Sequence, residues 1–398
     1  MLSEFEKTTD KDYICPICGN KDIHSIGYLN GKPYCRKCIS FKGEEVEYKE
    51  SNPKEAPFNL SYELSPEQKE LSNRLVSNYT KGIDSLVYAV TGSGKTEICL
   101  SLIQLCLSSG KTVGFTVPRR SVCVEIMLRF RDIFKHNKVI AVYGGHNKQK
   151  VGDIVCLTTH QLFRYEKYFD LLIIDEIDAF PFKGDEVLNK FFYRAIKGNY
   201  VILTATPSDE LIKEHQKKGK DLLKLFTRFH RHPLPVPKLL SGNSIKLYYK
   251  LIKQIILFKK ENKQVFVFVP TVKMSKQVAL LLKLFIRDGR YINSKTENNA
   301  KIINDFRNKK HTYLVTTAIL ERGITVKDLQ VVVLFADHKI YDHSSLIQIA
   351  GRAGRKKAAP EGEVIFYAKT ITDEMRRAVE DIERYNKALQ DLLQRDKK

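Results

Sequence analysis

Residues 86–96 read LVYAVTGSGKT, an apolar strand that leads directly into a glycine-rich turn ending in Lys-Thr. Such a turn surrounds phosphates with backbone N–H groups at the positive end of the next helix, predicted over 97–107. Lys95 is expected to reach the β- and γ-phosphates of a nucleotide, and Thr96 to ligate Mg²⁺. The full pattern has a glycine where this chain has Ala89, so a turn with a chance Lys-Thr pair remains the alternative. The predicted nucleotide-binding residues here are Thr91, Gly92, Ser93, Gly94, Lys95 and Thr96.

A second candidate segment follows about eighty residues later, where the apolar strand 171–174 ends in Asp175 and Glu176. Ligands of parallel α/β sheets sit at the carboxyl ends of the strands. Asp175 would hold Mg²⁺, and Glu176 would orient or deprotonate an attacking water. An acidic pair after a strand can also be a helix cap or a solvated turn. Its pairing with an upstream phosphate loop favours phosphoryl transfer.

The chain alternates apolar, β-branched runs with helical patterns, which predicts an α/β fold with parallel sheets covered on both faces. Strands are predicted at 86–90, 113–117, 139–142, 154–158, 171–174, 201–204, 265–269, 313–317, 331–335 and 364–367. The stretch between the two series is rich in Lys and contains Pro233, Pro235 and Pro237, which indicates a boundary. We therefore predict an N-terminal module with its linker (1–58), a first domain (59–210), a basic connector (211–240) and a second domain (241–398).

Four cysteines near the N-terminus follow a C-x2-C-x16-C-x2-C spacing, and Gly19 suits the turn after the first pair. This spacing is typical of a structural zinc site with four thiolate ligands. Two disulfides are the alternative, and they would require an oxidising compartment. The predicted metal ligands are Cys15, Cys18, Cys35 and Cys38, whereas Cys99, Cys106, Cys123 and Cys156 are expected to be buried packing residues.

Charge points to a polyanionic partner. The chain of 398 residues has a formal net charge of +21, and residues 207–398 carry 39 basic against 21 acidic side chains. A basic excess concentrated in one half favours nucleic acid over a merely soluble surface. With 43% hydrophobic residues, global disorder is excluded. The polar start and the absence of a 20-residue apolar run predict a soluble, cytoplasmic protein without a membrane span.

From residue 64 to 367, the chain resembles superfamily 2 helicases and translocases, whose motor consists of two RecA-like domains. Gln68 in LSPEQ resembles the adenine-reading glutamine, and residues 175–178 (DEID) resemble motif II. Residues 348–355 read QIAGRAGR, which is similar to motif VI. The resemblance implies that Gln348, Arg352 and Arg355 act in catalysis, with the two arginines entering the phosphate site from the second domain.

The same resemblance assigns coupling and strand-contacting roles. Coupling between hydrolysis and movement is implied for Asp178, Thr204, Thr206 and Gly323. Contacts with a nucleic acid strand are implied for Pro118, Arg119, Gly144, Gly145, Thr158, Thr159, Pro270, Thr316 and Thr317. Such contacts use backbone amides and hydroxyls on phosphates, so binding is expected to tolerate any base sequence.

An N-terminal four-cysteine site joined to this motor is most similar to the ComFA family of late competence proteins. That resemblance implies an ATP- and Mg²⁺-dependent, single-stranded-DNA-stimulated motor for DNA uptake, with structural zinc. Implied partners are a phosphoribosyltransferase-like competence protein, a DNA-processing protein and a membrane DNA channel; recruitment to the inner membrane face is a further option. PriA-like replication-restart helicases are the rival family, but their zinc cysteines lie inside the motor. A non-hydrolysing nucleic-acid scaffold is the alternative of another class.

Two further segments allow more than one interpretation. Residues 229–232 (FHRH) could stack bases or simply link the domains. Residues 375–392 place apolar side chains at helical spacing, which predicts a last helix packed on the second domain or docked to a partner.

Overall fold

The computed structural model describes residues 13–29, 32–38, 41, 44–48, 52–60, 62–146, 148–177, 184–293, 296, 299–317, 326–355 and 359–395. Two predicted coupling residues, Asp178 and Gly323, lie outside the described residues.

The N-terminal cysteine module (residues 13–38) is small and is built around its four buried cysteines. It contains a 3₁₀ turn at Ile23–Ser25 and an antiparallel hairpin of β1 (Ile26–Leu29) and β2 (Lys32–Cys35). The cysteines share one apolar cluster with Phe163, Leu188 and Phe191 of the next domain. The module therefore packs against the first motor domain.

The first lobe is a seven-stranded parallel sheet in the order β5-β6-β4-β7-β8-β3-β9. Most of its central strand residues are buried, as expected for a sheet covered on both faces. Its strands are β3 (Ser85–Ala89), β4 (Val113–Val117), β5 (Val139–Val142), β6 (Ile154–Thr158), β7 (Phe169–Asp175), β8 (Ile196–Thr204) and β9 (Asp221–Leu225). Its helices are α1 (Pro66–Thr80), α2 (Leu100–Ser108), α3 (Arg120–Ile133), α4 (Glu186–Ala195) and α5 (Asp209–Lys217), with 3₁₀ turns at Glu97–Cys99 and Thr159–Arg164.

The second lobe is a six-stranded parallel sheet in the order β10-β15-β14-β11-β13-β12. Its strands are β10 (Lys238–Ser241), β11 (Gln264–Phe268), β12 (Arg290–Ile292), β13 (Tyr313–Thr316), β14 (Leu329–Leu334) and β15 (Val364–Ala368). Its helices are α6 (Ser244–Lys260), α7 (Val272–Lys283), α8 (Asn299–Arg307), α9 (His343–Ala350) and α10 (Asp373–Arg395). Two parallel-sheet lobes in tandem with an N-terminal cysteine module confirm the predicted fold class.

Three strands of the two lobes, β9, β10 and β12, were not predicted, and each lies at the edge of its sheet; the hairpin of β1 and β2 was not predicted either. The first two fall in the stretch 211–240, which we predicted as a connector, together with most of α5. Edge strands are exposed on one side and so lack the continuous apolar run of a central strand. The domain limits at 58, 210 and 240 stay predictions. The predicted linker also contacts the first lobe, because Val46 N–H donates to the Arg164 carbonyl and Ala56 lies in the core.

The last helix, α10, connects both lobes. It buries Met375, Ala378, Ile382, Tyr385 and Leu389. It packs on α9 of the second lobe as predicted, and its Tyr385 hydroxyl also lies 2.7 Å from the Tyr88 hydroxyl of β3. Both tyrosines are buried, so this hydrogen bond ties the second lobe to the strand that leads into the phosphate loop. Among the described helices, none combines the length and the apolar character that crossing a bilayer requires.

Candidate active site between the two lobes

The phosphate loop (residues 91–96) follows β3 as predicted. Gly92 and Gly94 both have a φ of 82°, a left-handed conformation that other residues adopt only with strain. The Lys95 ammonium donates to the carbonyls of Ala89, at 3.0 Å, and Val90, at 3.3 Å. The lysine is thus folded back over its own loop, close to the position that a phosphate would occupy.

The acidic pair lies at the same edge of the sheet. Asp175 is the last residue of β7, and only β8 separates β7 from β3, so the two strand ends lie about 10 Å apart. Glu176, the next residue, has a φ of 65°. A non-glycine residue rarely adopts this conformation, and such strain is concentrated at functional sites.

The second lobe supplies the opposite wall. Gln348, near the end of α9, and Arg352 and Arg355 in the arginine loop (residues 351–355) line a cleft of about 430 Å³. The same cleft is lined by Thr91, Gly92, Gly94, Lys95, Thr96, Asp175 and Glu176. The structure therefore brings the predicted catalytic residues of both lobes to one site.

Arg355 interacts electrostatically with four carboxylates that line the cleft. Burial lowers the pKa of its guanidinium, whereas the carboxylates of Glu176, Glu125, Glu97 and Asp175 oppose that shift. An arginine keeps its charge under these conditions. A fixed cation facing several carboxylates is suited to stabilise a triphosphate that enters between them.

Several buried polar atoms around the cleft have no hydrogen-bond partner among the described residues. These atoms are Thr91 Oγ1, Ser93 Oγ and Gln348 Oε1. Buried polar atoms normally are hydrogen-bonded, and an orphaned group calls for an explanation such as a ligand. Together with the carboxylates and Thr96, they fit a bound Mg²⁺–nucleotide.

Gln68 belongs to the N-terminus of α1 and is buried. Its side-chain carbonyl accepts from Ser65 N–H at 2.8 Å, which completes a capping box. Its amide group donates to the Ser93 carbonyl at 2.7 Å. Gln68 therefore supports the phosphate loop directly, and its contact with adenine stays a prediction.

Sequence analysis missed several residues at the rim of the cleft. Glu97 accepts from Arg129 at 2.5 Å and from the Tyr62 hydroxyl at 2.9 Å. Burial opposes ionisation of Glu97, but the charge and hydrogen bond of Arg129 lower its pKa. Phe229, for which base stacking and a linker role were both open, lines the nucleotide cleft, and its stacking on a nucleic acid stays a prediction. No motif marks these residues, because their partners come from distant parts of the chain.

The predicted coupling segment connects the lobes. Thr204 ends β8 and Thr206 follows two residues later, and β8 lies between the strands that lead to the phosphate loop and to Asp175. The Thr206 hydroxyl lies 2.6 Å from the hydroxyl of Ser344, which is in the first turn of α9. Because α9 leads to Gln348 and the arginine loop, this hydrogen bond joins the first-lobe segment to the element that carries them, and the coupling role of Thr204 and Thr206 stays a prediction.

The predicted strand-contacting residues of the first lobe occupy neighbouring strand ends. Pro118 and Arg119 follow β4, Thr158 and Thr159 lie at the end of β6, and Gly144 and Gly145 follow β5. These three strands are adjacent in the order β5-β6-β4. The glycines are exposed, whereas the two threonine side chains are buried.

The predicted strand-contacting residues of the second lobe also lie at neighbouring strand ends. Pro270 follows β11 and Thr316 ends β13, and these two strands are neighbours. The Val269 N–H donates to the Thr316 carbonyl at 2.8 Å. Thr316 is buried and Thr317 is half-buried. All of these nucleic-acid contacts stay predictions.

The four cysteines form one cluster, with their Sγ atoms within 4.8 Å of one another. Cys15 and Cys38 are 3.6 Å apart, as are Cys18 and Cys35. Four thiolates around Zn²⁺ at its usual bond length lie about 3.8 Å apart, so the geometry is compatible with one zinc ion. Gly19 has a φ of 60°, as its predicted place in the turn requires. The other four cysteines are buried, as predicted.

Comparison with known families agrees with this geometry. Residues 65–215 match the DEAD/DEAH box helicase family. Residues 247–357 match the helicase conserved C-terminal domain. Each match falls on one lobe, and the chain therefore carries both domains of a superfamily 2 helicase.

Two curated relatives cover nearly the whole chain. Competence protein ComFA of Bacillus subtilis is 34% identical over 94% of this chain and 86% of its own length. Competence protein ComFA of Streptococcus pneumoniae is 32% identical, over 94% of this chain and 90% of its own length. The chain belongs to the ComFA family of competence proteins. In this ComFA-family chain, the cysteine module and both lobes thus form one helicase-like protein.

Solved structures support the fold of this ComFA-family chain. Saccharomyces cerevisiae Dbp5, bound to RNA and ADP BeF3, has a TM-score of 0.60 at 16% identity, covering 81% of this chain and 92% of its own. Mycobacterium smegmatis helicase Lhr, bound to ssDNA and AMP-PNP, has a TM-score of 0.56 at 17% identity, covering 81% and 50%. At such low identity, these likenesses concern the fold alone.

Proposed function

We propose that the chain is an ATP-hydrolysing motor that moves along single-stranded DNA and drives DNA uptake during natural transformation. The observation that carries this proposal is the shared cleft, in which Lys95, Asp175 and Glu176 of the first lobe face Arg352 and Arg355 of the second. A scaffold with an inert nucleotide site would have no use for all of these groups in one place.

Each side chain has a role that follows from phosphoryl-transfer chemistry. Lys95 would leave the carbonyls of Ala89 and Val90 to bind the β- and γ-phosphates. Thr96 and Asp175 would hold Mg²⁺, which would supply charge neutralisation during phosphoryl transfer. Glu176 would orient the attacking water and accept its proton, and Arg352 and Arg355 would stabilise the transition state.

The division of the site between two lobes links hydrolysis to movement. Closure around ATP brings the arginines to the phosphates, and loss of the γ-phosphate weakens that attraction. The Thr206–Ser344 hydrogen bond joins the two lobes beside the cleft. Strand ends that hold phosphates in both lobes would then alternately approach and separate, which moves a bound strand.

Family membership supports the rest of the proposal. Single-stranded DNA as the track, action at the inner membrane face, and partnership with a phosphoribosyltransferase-like protein, a DNA-processing protein and a DNA channel follow from the ComFA resemblance. One zinc ion in the cysteine module would have a structural role, because four protein ligands leave no open position.

The test is ATP hydrolysis by the purified full chain, measured with single-stranded DNA, duplex DNA and RNA, and with strand displacement measured in parallel. Lys95→Ala provides the inactive control. We expect strong stimulation by single-stranded DNA without strand displacement. Efficient unwinding of forks would instead indicate a replication-restart helicase, and no hydrolysis above the Lys95→Ala control would indicate a scaffold.

A further inference from the structure

The segment between the lobes contains a fully buried arginine. Arg228 is 1% exposed, and within the described parts of the chain no carboxylate forms an ion pair with it. Its guanidinium instead donates to three carbonyls, those of Ala353 at 3.1 Å, Gly354 at 2.6 Å and Gly351 at 3.1 Å. Burying a charge costs a lot unless it is well bonded, so these contacts are strong constraints on local structure.

All three carbonyls belong to the arginine loop, and they lie on both sides of Arg352. The His230 ring also interacts with the Gly354 backbone. Residues 227–231, which we call the strap, therefore contact the arginine loop through two side chains, those of Arg228 and His230. Because Gly354 has a φ of 60°, the loop turns sharply at the point where Arg228 binds it.

The strap is fixed to the phosphate loop as well. The Phe229 N–H donates to the Gly92 carbonyl at 3.3 Å. A Cβ on Gly92 would lie 3.8 Å from the Arg228 side chain and 3.8 Å from the Arg355 side chain. Arg228 thus lies between the loop that would bind phosphates and the loop that would stabilise the transition state.

The charge on Arg228 makes this arrangement sensitive to what fills the cleft. Burial and the nearby Arg355 lower the pKa of Arg228 to about 9, which leaves it charged at pH 7. Two guanidinium groups repel each other, so the carbonyl contacts have to hold the loop against that repulsion. Phosphates in the cleft would reduce the repulsion.

We propose that Arg228 is a positioning residue, which holds the arginine loop against the phosphate loop so that Arg352 and Arg355 face the triphosphate. This inference rests on the proposed hydrolysis. A planar guanidinium can serve three carbonyls at once, whereas a lysine ammonium is a point charge on a flexible stem and cannot reproduce that geometry. Arg228→Lys keeps the charge and loses the positioning.

The first test does not require hydrolysis. Amide hydrogen exchange of residues 351–353 is compared between wild type and Arg228→Lys, in the full chain without nucleotide. These amides donate within the end of α9 and its turn, so release of the loop should speed their exchange about tenfold. Arg194→Lys is the matched control, because Arg194 is also largely buried and binds a backbone carbonyl, that of Phe163. Unchanged exchange in Arg228→Lys overturns the proposal.

The second test asks whether Arg228 acts through the arginines. Arg228→Lys should lower kcat for ATP about 100-fold, the loss expected from misplacing a catalytic group by about 1 Å, with KM changed less than about threefold. In a background that carries both Arg352→Ala and Arg355→Ala, the same substitution should cost less than about threefold, because both groups that it positions are absent. Full additivity of the two losses overturns the proposal.

The two tests also distinguish failure of the Arg228 inference from failure of the proposed function. A wild type that does not hydrolyse ATP removes the proposed function, while hydrogen exchange still decides whether Arg228 holds the loop. Arg228→Gln, which keeps two N–H donors without the charge, replaces Arg228→Lys if the lysine variant does not fold. A fall in ADP affinity of more than tenfold in either variant would indicate a general structural role, which also contradicts positioning.

Discussion

In the first lobe, the groups that face the cleft lie within a few residues of a strand end, whereas in the second lobe they sit on a loop that distant residues hold in place. Lys95 follows β3 and Asp175 ends β7, so the parallel sheet alone brings them together. Arg352 and Arg355 depend on the packing of Gly351 against Thr91 and on the carbonyl contacts of Arg228. The placement of the first-lobe groups thus depends on one sheet, whereas the placement of the second-lobe groups depends on contacts between the lobes.

This difference predicts that second-lobe substitutions separate turnover from binding. Arg355→Ala should lower ATP turnover about 10³-fold or more, because an arginine that neutralises transition-state charge is lost. Affinity for ADP, which the first lobe binds, should change less than about threefold. Steady-state hydrolysis and titration of a fluorescent ADP analogue measure the two quantities. Lys95→Ala is the contrasting variant, and it should lose both ATP turnover and ADP affinity. A comparable loss of ADP affinity in Arg355→Ala would show that second-lobe substitutions do not separate turnover from binding.

Glu176→Gln tests the first half of the site with the second left intact. The amide has almost the shape of the carboxylate but cannot accept a proton from water, so turnover should fall about 10²–10⁴-fold. Binding of ATP and of single-stranded DNA should persist, which filter binding can measure. Asp185→Asn is a suitable control, because Asp185 caps α4 and does not line the cleft. Hydrolysis at the wild-type rate by Glu176→Gln would exclude its assigned role.

Gly351→Ala tests the contact between the arginine loop and the phosphate loop. A Cβ at this position would collide with the Thr91 hydroxyl, so the two loops would have to separate by a small distance. We expect turnover to fall about 100-fold while ADP affinity is retained. Gly82→Ala is less informative about packing, but it is a useful control, because nothing lies within 4 Å of a Cβ there and only its φ of 72° opposes the change. Wild-type turnover in Gly351→Ala would show that the lobes need not close this tightly.

Tyr385→Phe should have a smaller effect, on stability. It removes the buried hydrogen bond between α10 and Tyr88, which also accepts from Arg384 at 3.1 Å. The free energy of unfolding should fall by about 1 kcal/mol. Tyr249→Phe, at a side chain that is 65% exposed, should change it by less than about 0.5 kcal/mol. Urea denaturation measures both variants, and equal stabilities would show that α10 does not tie the lobes through this pair.

Cys15→Ser should have the smallest effect on turnover. The full chain should hold one zinc ion, and the variant should lose it together with the local fold of the cysteine module. Because the module packs on the first lobe and does not line the cleft, hydrolysis without DNA should stay within about twofold of wild type. Metal analysis of freshly reduced protein and hydrolysis assays check the two parts. A wild type without zinc would contradict the proposed metal.

Sequence reasoning predicted the central strands well, because a strand buried on both faces is a continuous apolar run. The central strands β4 and β6 have the predicted bounds, and so does the edge strand β5, whose four residues are all buried. The edge strands β9, β10 and β12 were missed, since each of them contains exposed and half-buried residues: Leu223 and Leu225 of β9 are buried, but Lys224 between them is exposed. Such an edge strand forms by pairing with a strand from elsewhere in the chain, so the local sequence alone does not reveal it.

The same reasoning applies to the site. Contiguous motifs located Lys95, Asp175 and Arg355, because phosphate chemistry requires those residue types at fixed spacing. Arg228 could not be distinguished from the many other basic side chains of a chain with a net charge of +21. Its burial and its three carbonyl partners arise only when the interface forms. The sequence likewise could not show that Phe229 lines the nucleotide cleft, because that position also depends on how the lobes pack.

The most direct test of the account is the rate of ATP hydrolysis as single-stranded DNA is added to wild type, Lys95→Ala and Arg355→Ala. The account predicts that DNA accelerates the wild type, and that both variants stay near the uncatalysed rate at every DNA concentration. Wild-type acceleration in Arg355→Ala would contradict it, because hydrolysis would then not require the arginine that the second lobe places in the cleft.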